Sequence, residues 1–138
     1  MRARDALGRP VASDDPAGVE AVSEQALPAG QALDAAQALL DAGRAFSAHE
    51  VLEATWKAAP DGQRELWQGL AQVCVGVTHL QRGNPVGAVR LLQRGAGRLP
   101  DGPLREQVLA FADRIAAGDL TPAALRLRDY VPAPPGPG

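Results

Sequence analysis

The sequence is poor in cysteine, in aromatic residues and in net charge. Cys74 is its only cysteine. That excludes an internal disulfide and a cysteine-based zinc cluster. Aromatic residues make up 4% of the chain, so the core has to be built from alanine, leucine and valine. The formal net charge is −2 at pH 7, which is no polyanion-binding signature and argues against nucleic acid as a partner. No apolar run is long enough to span a bilayer, and the first residues lead into no leader-like stretch. No membrane partner is expected, and the cytoplasm is the default compartment. A glycine-rich phosphate loop and a Ser-His-Asp constellation are also missing, and no cofactor is expected.

What is present favours helix. Alanine and leucine, both strong helix formers, dominate the apolar 46%. At 138 residues one domain is expected. The expected fold is all-α: a compact bundle of about five helices built from two helical hairpins, plus a short C-terminal helix. Residues 1–29 hold many glycines, prolines and aspartates and read as an unfolded extension, with a short helical turn around 19–27. Residues 30–128 form the single helical domain. Residues 129–138 are a Pro/Gly-rich tail.

Periodicity places the helices. The first runs from about Gln31 to Ala42, with Ala32, Leu33, Ala36, Leu39 and Leu40 on one face, and Gly43 stops it. The second follows Ser47, read as an N-cap in a capping box with Glu50, with Phe46 outside as a hydrophobic staple. The third, about Gln63 to Arg82, has no charged residue between Glu65 and Arg82 and suits a buried central position. Gly69 and Gly76 mark one of its faces for close backbone approach. Trp56 and Trp67, at the turn before it, read as core or pocket wall. Gly83–Asn84–Pro85 is a stop followed by a start, and Val86, Val89, Leu92, Ala96 and Leu99 of the fourth helix should face inward. The fifth helix begins at Pro103, and Thr121 should cap a short helix through about Arg128.

Residues 43–52 and 83–92 align at an offset of 40: Gly43 on Gly83, Ala48 on Ala88, Leu52 on Leu92. Each unit is a helix, a glycine stop, a tight turn and a second helix. That is the logic of helical-hairpin repeats. His49 and Glu53 fall on Val89 and Gln93, so the polar residues belong to the first unit only.

His49 and Glu53 are i,i+4 neighbours on the second helix, close enough to touch. His49–Glu50–x–x–Glu53 shares part of the zincin pattern, in which two histidines on one turn bind zinc. Here His49 and Glu53 are the candidate metal ligands, with Glu50 as candidate general base. The wheel places Glu50 outward. His79, the other histidine, should lie about 10 Å further along the neighbouring helix, too far to complete a site. The more economical reading is a polar network: His49 and Glu53 bonded to Gln68 or Gln72 and to the Trp56 indole, with His79 on the same strip. Arg90, Arg94 and Arg98 recur at i,i+4,i+8 and make a candidate anion-binding face. Cys74, on an apolar face, reads as an inert small hydrophobe.

Gly43, Phe46, Ala48–His49–Glu50, Leu52–Glu53, Trp56, Gln68–Gly69–Leu70, His79, Gly83–Asn84, Gly87–Ala88 and Leu92 together resemble domain-of-unknown-function family 309 over roughly residues 32–99. The resemblance implies a helical fold and a family pattern that includes His49, Glu50, Glu53 and Trp56. It implies no activity. Two functions are therefore in view. One is a non-catalytic module that binds a protein partner or itself. The other is a metal-assisted hydrolase or small-ligand enzyme using His49, Glu50 and Glu53, with a divalent metal.

Overall fold

The computed structural model describes residues 3–5, 7–11, 18–19 and 25–130. Five helices pack as an all-α bundle: α1 Ala29–Asp41, α2 Ala45–Ala58, α3 Asp61–Gln81, α4 Pro85–Arg98 and α5 Pro103–Ala116. A 3-10 turn, Leu127–Tyr130, follows. Within the first 29 residues, the described backbone includes three short antiparallel strands, β1 Ala3–Asp5, β2 Pro10–Val11 and β3 Gly18–Val19, in the order β2-β1-β3. Most of the helical turn expected over 19–27, and the Pro/Gly tail from residue 131, lie outside the described residues.

Each helix packs mainly on its neighbours in sequence, and the 3-10 turn touches both α5 and α1, closing the series. The core is mostly aliphatic, with Leu52, Leu70, Leu92, Leu104 and Val73 all but inaccessible, joined by the aromatic Phe111. Burying one such side chain contributes roughly 1.5–3 kcal/mol. No helix among the described residues is long and apolar enough to cross a membrane.

Glycine sets the turns. Gly43 and Gly83 adopt φ of 77° and 78°, a left-handed conformation that side-chain-bearing residues disfavour. Each completes the same hydrogen-bonded stop: the amide after the glycine reaches back to Leu39 O at 2.8 Å in one hairpin and to His79 O at 2.8 Å in the other. The residue after each glycine also opens the next helix, so α2 begins at Ala45 and α4 at Pro85.

That geometry corrects the expected start of α2. Ser47 lies inside the helix, is buried, and accepts a bond from Arg44 Nη2 at 3.2 Å. Arg44 holds the N-cap position with no side-chain cap, so the capping box with Glu50 does not form. Asn84 behaves as expected: its side-chain oxygen accepts from the Gly87 amide at 3.0 Å. The α3–α4 crossing is as close as the glycines suggest. A Cβ on Gly76 would fall 2.8 Å from Leu92, and one on Gly95 would fall 2.8 Å from the Gly69 carbonyl oxygen.

Two further expectations fail. Val86 points out of the bundle and is 70% exposed, because it lies on the side of α4 opposite the buried Ala88. No helix starts at Thr121. Its amide is taken by the Asp119 carboxylate at 3.0 Å, and residues 119–126 run without helix across the bundle. We refer to residues 119–127 as the strap. Leu125 and Leu127 anchor it, both buried. The Gln37 carboxamide of α1 holds its backbone, donating to Leu125 O at 3.0 Å and accepting from Leu127 N at 2.8 Å.

Candidate functional site

The residues singled out on α2 face α3 across a shallow groove of about 120 Å³. α2 supplies His49, Glu53 and Trp56, one turn apart in succession. α3 supplies Gln68 and Gln72 one turn apart, over a floor of Ala71 and Val75. Small residues at the floor leave the space that the polar groups line.

His49 Nε2 and Glu53 Oε2 are 2.7 Å apart, and Lys57 Nζ sits 2.9 Å from the other carboxylate oxygen. Glu53 is thus shared between a histidine and a lysine on successive turns. The Lys57 hydrogen bond chiefly holds the Glu53 carboxyl below its ordinary range; partial burial opposes this, and His49 adds to the lowering. The far nitrogen of the imidazole, Nδ1, is buried and has no hydrogen-bond partner among the described residues. The Phe46 ring packs against the imidazole, with centroids 5.3 Å apart.

The wider network does not close as expected. Gln72 accepts from Arg98 Nε at 3.1 Å rather than meeting His49. Trp56 lies under the Arg64 guanidinium, 5.8 Å from its ring centre, and serves as a groove wall. Trp67 is buried in the core. His79 stands apart at the α3–α4 turn, its Nδ1 3.1 Å from Asn84 Nδ2, because α3 carries it beyond the groove. Glu50 is half-buried rather than outward, and it is not among the residues lining the groove. The arginine stripe is divided: Arg98 pairs with Glu65 at 2.8 Å, while Arg90 and Arg94 are exposed on α4. Among the described residues, no three His, Cys, Asp or Glu side chains come together in a metal-binding group. His49 and Glu53 offer two donors on one turn, and a tetrahedral site needs more.

The N-terminal segment makes contacts that the sequence did not announce. Gly8 is buried against the Phe46 ring, where a Cβ would overlap the ring atoms, and its φ is 80°. Arg82 Nε donates to Leu7 O at 2.8 Å and the guanidinium lies over Phe46. The ring that packs on His49 is therefore also the seat of residues 7 and 8. Its signal was Phe46 itself, one of two phenylalanines, placed at a helix start.

These elements coincide with a known family. Residues 33–91 match the model of the DUF309 family. The family model, described as a domain of unknown function, runs from α1 to the middle of α4. It takes in all the residues of the α2–α3 groove and His79, and Arg90 of the arginine stripe; Arg94, Arg98, α5 and the strap lie beyond it. Comparison with curated proteins and with solved structures finds no match.

Proposed function

We propose that this protein is a non-catalytic helical interaction module, made of two hairpin repeat units, that binds a protein partner or assembles with itself. The observation that carries this reading is the register of the two hairpins. α1 and α3 end at Asp41 and Gln81, α2 and α4 begin at Ala45 and Pro85, and they end at Ala58 and Arg98. These three boundaries recur 40 residues later, with the same glycine stop, whereas the first helix of each hairpin starts at Ala29 and at Asp61, 32 apart. Stacked hairpins of this kind expose long, regular helix faces, and such surfaces serve recognition more often than chemistry. In this reading His49 and Glu53 are structural, tying one turn of α2 to the next beside Phe46.

The second reading, a metal-assisted hydrolase or small-ligand enzyme, is favoured by one observation. The 2.7 Å His49–Glu53 contact opens on a groove with Gln68, Gln72 and Trp56 around it. A small polar ligand would meet donors and acceptors from two helices there.

Native mass spectrometry of untagged protein, run beside His49→Ala, separates the two. The module reading expects wild-type protein without stoichiometric metal and a variant that is less stable and differs in mass only by the substitution. One equivalent of divalent metal, lost in His49→Ala, would overturn it and direct the work to a hydrolase screen.

A further inference from the structure

The strap occupies a groove made by alternate helices. Its near wall is Leu40 at the end of α1. Its floor is Val77 and Gln81 of α3, and its far wall is Phe111 of α5. In a stack of helical hairpins these are the first helices of successive units, whose shared face is the usual place for an extended ligand.

The strap is held as a ligand would be. Leu125 and Leu127 are two apart, so in an extended chain they point the same way, and both are buried while Arg126 and Arg128 are exposed. Gln37 bonds the carbonyl of the first leucine and the amide of the second, at 3.0 and 2.8 Å. Those are main-chain contacts, which any extended segment can make. Arg128 then reaches Asp34 Oδ1 at 2.8 Å and Gly30 O at 3.1 Å. The face therefore reads three things: extended backbone, aliphatic side chains two apart, and a guanidinium immediately after the second.

The strap fits the groove incompletely. Beside Pro122 and Ala123 it leaves an open space of about 430 Å³ against Leu40, Val77 and Gln81. A second space of about 190 Å³ lies on the other side, against Leu80 and Phe111. Ala123 borders both. Gln81 donates to Gly43 O at 3.2 Å, but its buried side-chain oxygen has no partner among the described residues. A well-matched occupant would carry larger apolar side chains here and a donor for that oxygen.

We infer that the α1–α3–α5 groove is the docking site for an extended segment of a partner protein, and that residues 119–127 are its displaceable internal occupant. The partner segment carries the Leu-x-Leu-Arg pattern of residues 125–128, with bulkier aliphatic residues at the positions of Pro122 and Ala123. A second copy of this chain would bring the same small residues and leave the same spaces and the same unpaired oxygen, so a different protein is the better occupant. This rests on the reading of the chain as an interaction module and names the surface and the partner chemistry.

The test uses the full chain and two fluorescent peptides: residues 119–130, and the same sequence with Ala123→Leu. Leu127→Ala in the full chain weakens the internal strap. Fluorescence anisotropy should show the Ala123→Leu peptide binding this variant at least tenfold more tightly than it binds wild type. It should also bind at least threefold more tightly than the unmodified peptide, and adding Gln37→Ala should abolish binding. A folded Leu127→Ala variant that binds neither peptide overturns the proposal, as does one that binds no better than wild type. A variant that instead forms a dimer by sedimentation assigns the groove to a second copy and overturns it too.

Amide exchange on wild type decides the matter if the variant does not fold. The Leu127 amide should exchange at least tenfold faster than the Val73 amide of α3, through local release of the strap. Equal rates would make the strap part of the cooperative core and end the idea. Failure of peptide binding in a metal-free protein removes this groove but leaves the module reading standing. A stoichiometric metal on His49 removes the module reading without touching the peptide measurement.

Discussion

The α1–α2 and α3–α4 hairpins have the same turn and opposite contents. Both pass through a left-handed glycine, and both bury an alanine and a leucine at matching places, Ala48 with Leu52 and Ala88 with Leu92. In the second hairpin the crossing is closed by Gly69, Gly76 and Gly95, and backbone meets backbone. The first carries Phe46, His49 and Glu53, and its second helix keeps a polar groove toward α3. The turn is thus a property of a few residues near the glycine. What the hairpin presents is set separately, by the residues one and two turns later. Two hairpins can share one turn geometry while one is packed tightly and the other holds polar groups.

The largest effect that would break this contrast lies at the glycine crossing. Gly95→Ala places a methyl group against the Gly69 carbonyl oxygen at 2.8 Å and the Val73 amide nitrogen at 3.0 Å, neither of which can swing aside. Chemical denaturation should show a loss of about 1–3 kcal/mol. Gly97→Ala, two residues on in the same helix and facing open space, should gain roughly 0.5–1 kcal/mol from helix propensity. Equal effects at the two positions would mean that the crossing is not tight.

The shared turn gives the intermediate effect. Gly43→Ala and Gly83→Ala meet no neighbour within 4 Å, so each should cost only the left-handed strain, about 1–2 kcal/mol. The two losses should agree, since the φ angles do. Asn84→Ala should then cost about 1 kcal/mol through its cap, whereas Arg44→Ala removes no cap bond. Unequal glycine losses would show that the two turns are only superficially alike.

The smallest effect sharpens the polar side. Glu53 has a depressed folded-state pKa, so its contribution is present above the ordinary glutamate range and disappears as pH falls through the folded value. Glu53→Gln should cost a few tenths of a kcal/mol to about 1 kcal/mol at pH 7, as expected for a half-exposed pair. As pH falls through the depressed folded-state value, wild-type Glu53 is itself protonated and the two proteins should converge. Thermal melts across that range check it, and a difference that grows toward acid would sink the assignment.

Much of this frame was legible because its causes are local. Gly43, Gly83, Asn84–Pro85 and Pro103 act within one turn, and the alternation of leucine and alanine fixes the buried stripes. Gly69 and Gly76 revealed the crossing because seven residues on a helix return to one face. Ser47 misled because it carries good capping chemistry, yet Gly43 had already fixed where α2 starts. Thr121 misled for a similar reason: Asp119 captures its amide first. The strap depends on Gln37, 88 and 90 residues from its two backbone partners, and no window of sequence contains that pairing. Its one local sign was the two-residue spacing of Leu125 and Leu127, an extended-chain period in a helical protein. Of the groove, the His49–Glu53 contact was legible from i,i+4 spacing. The capture of Gln72 by Arg98 was not, because it requires α3 and α4 to be packed first.

Cys74 gives this molecule a clock. It lies at the centre of α3 with no exposed surface, and burial raises its thiol pKa to about 12. A thiol-specific dye needs both access and the thiolate, and the native state withholds both. The rate at which the single sulfur reacts therefore counts how often α3 leaves its neighbours. One unmodified residue can time every opening of the bundle, in each variant described above, without an added probe.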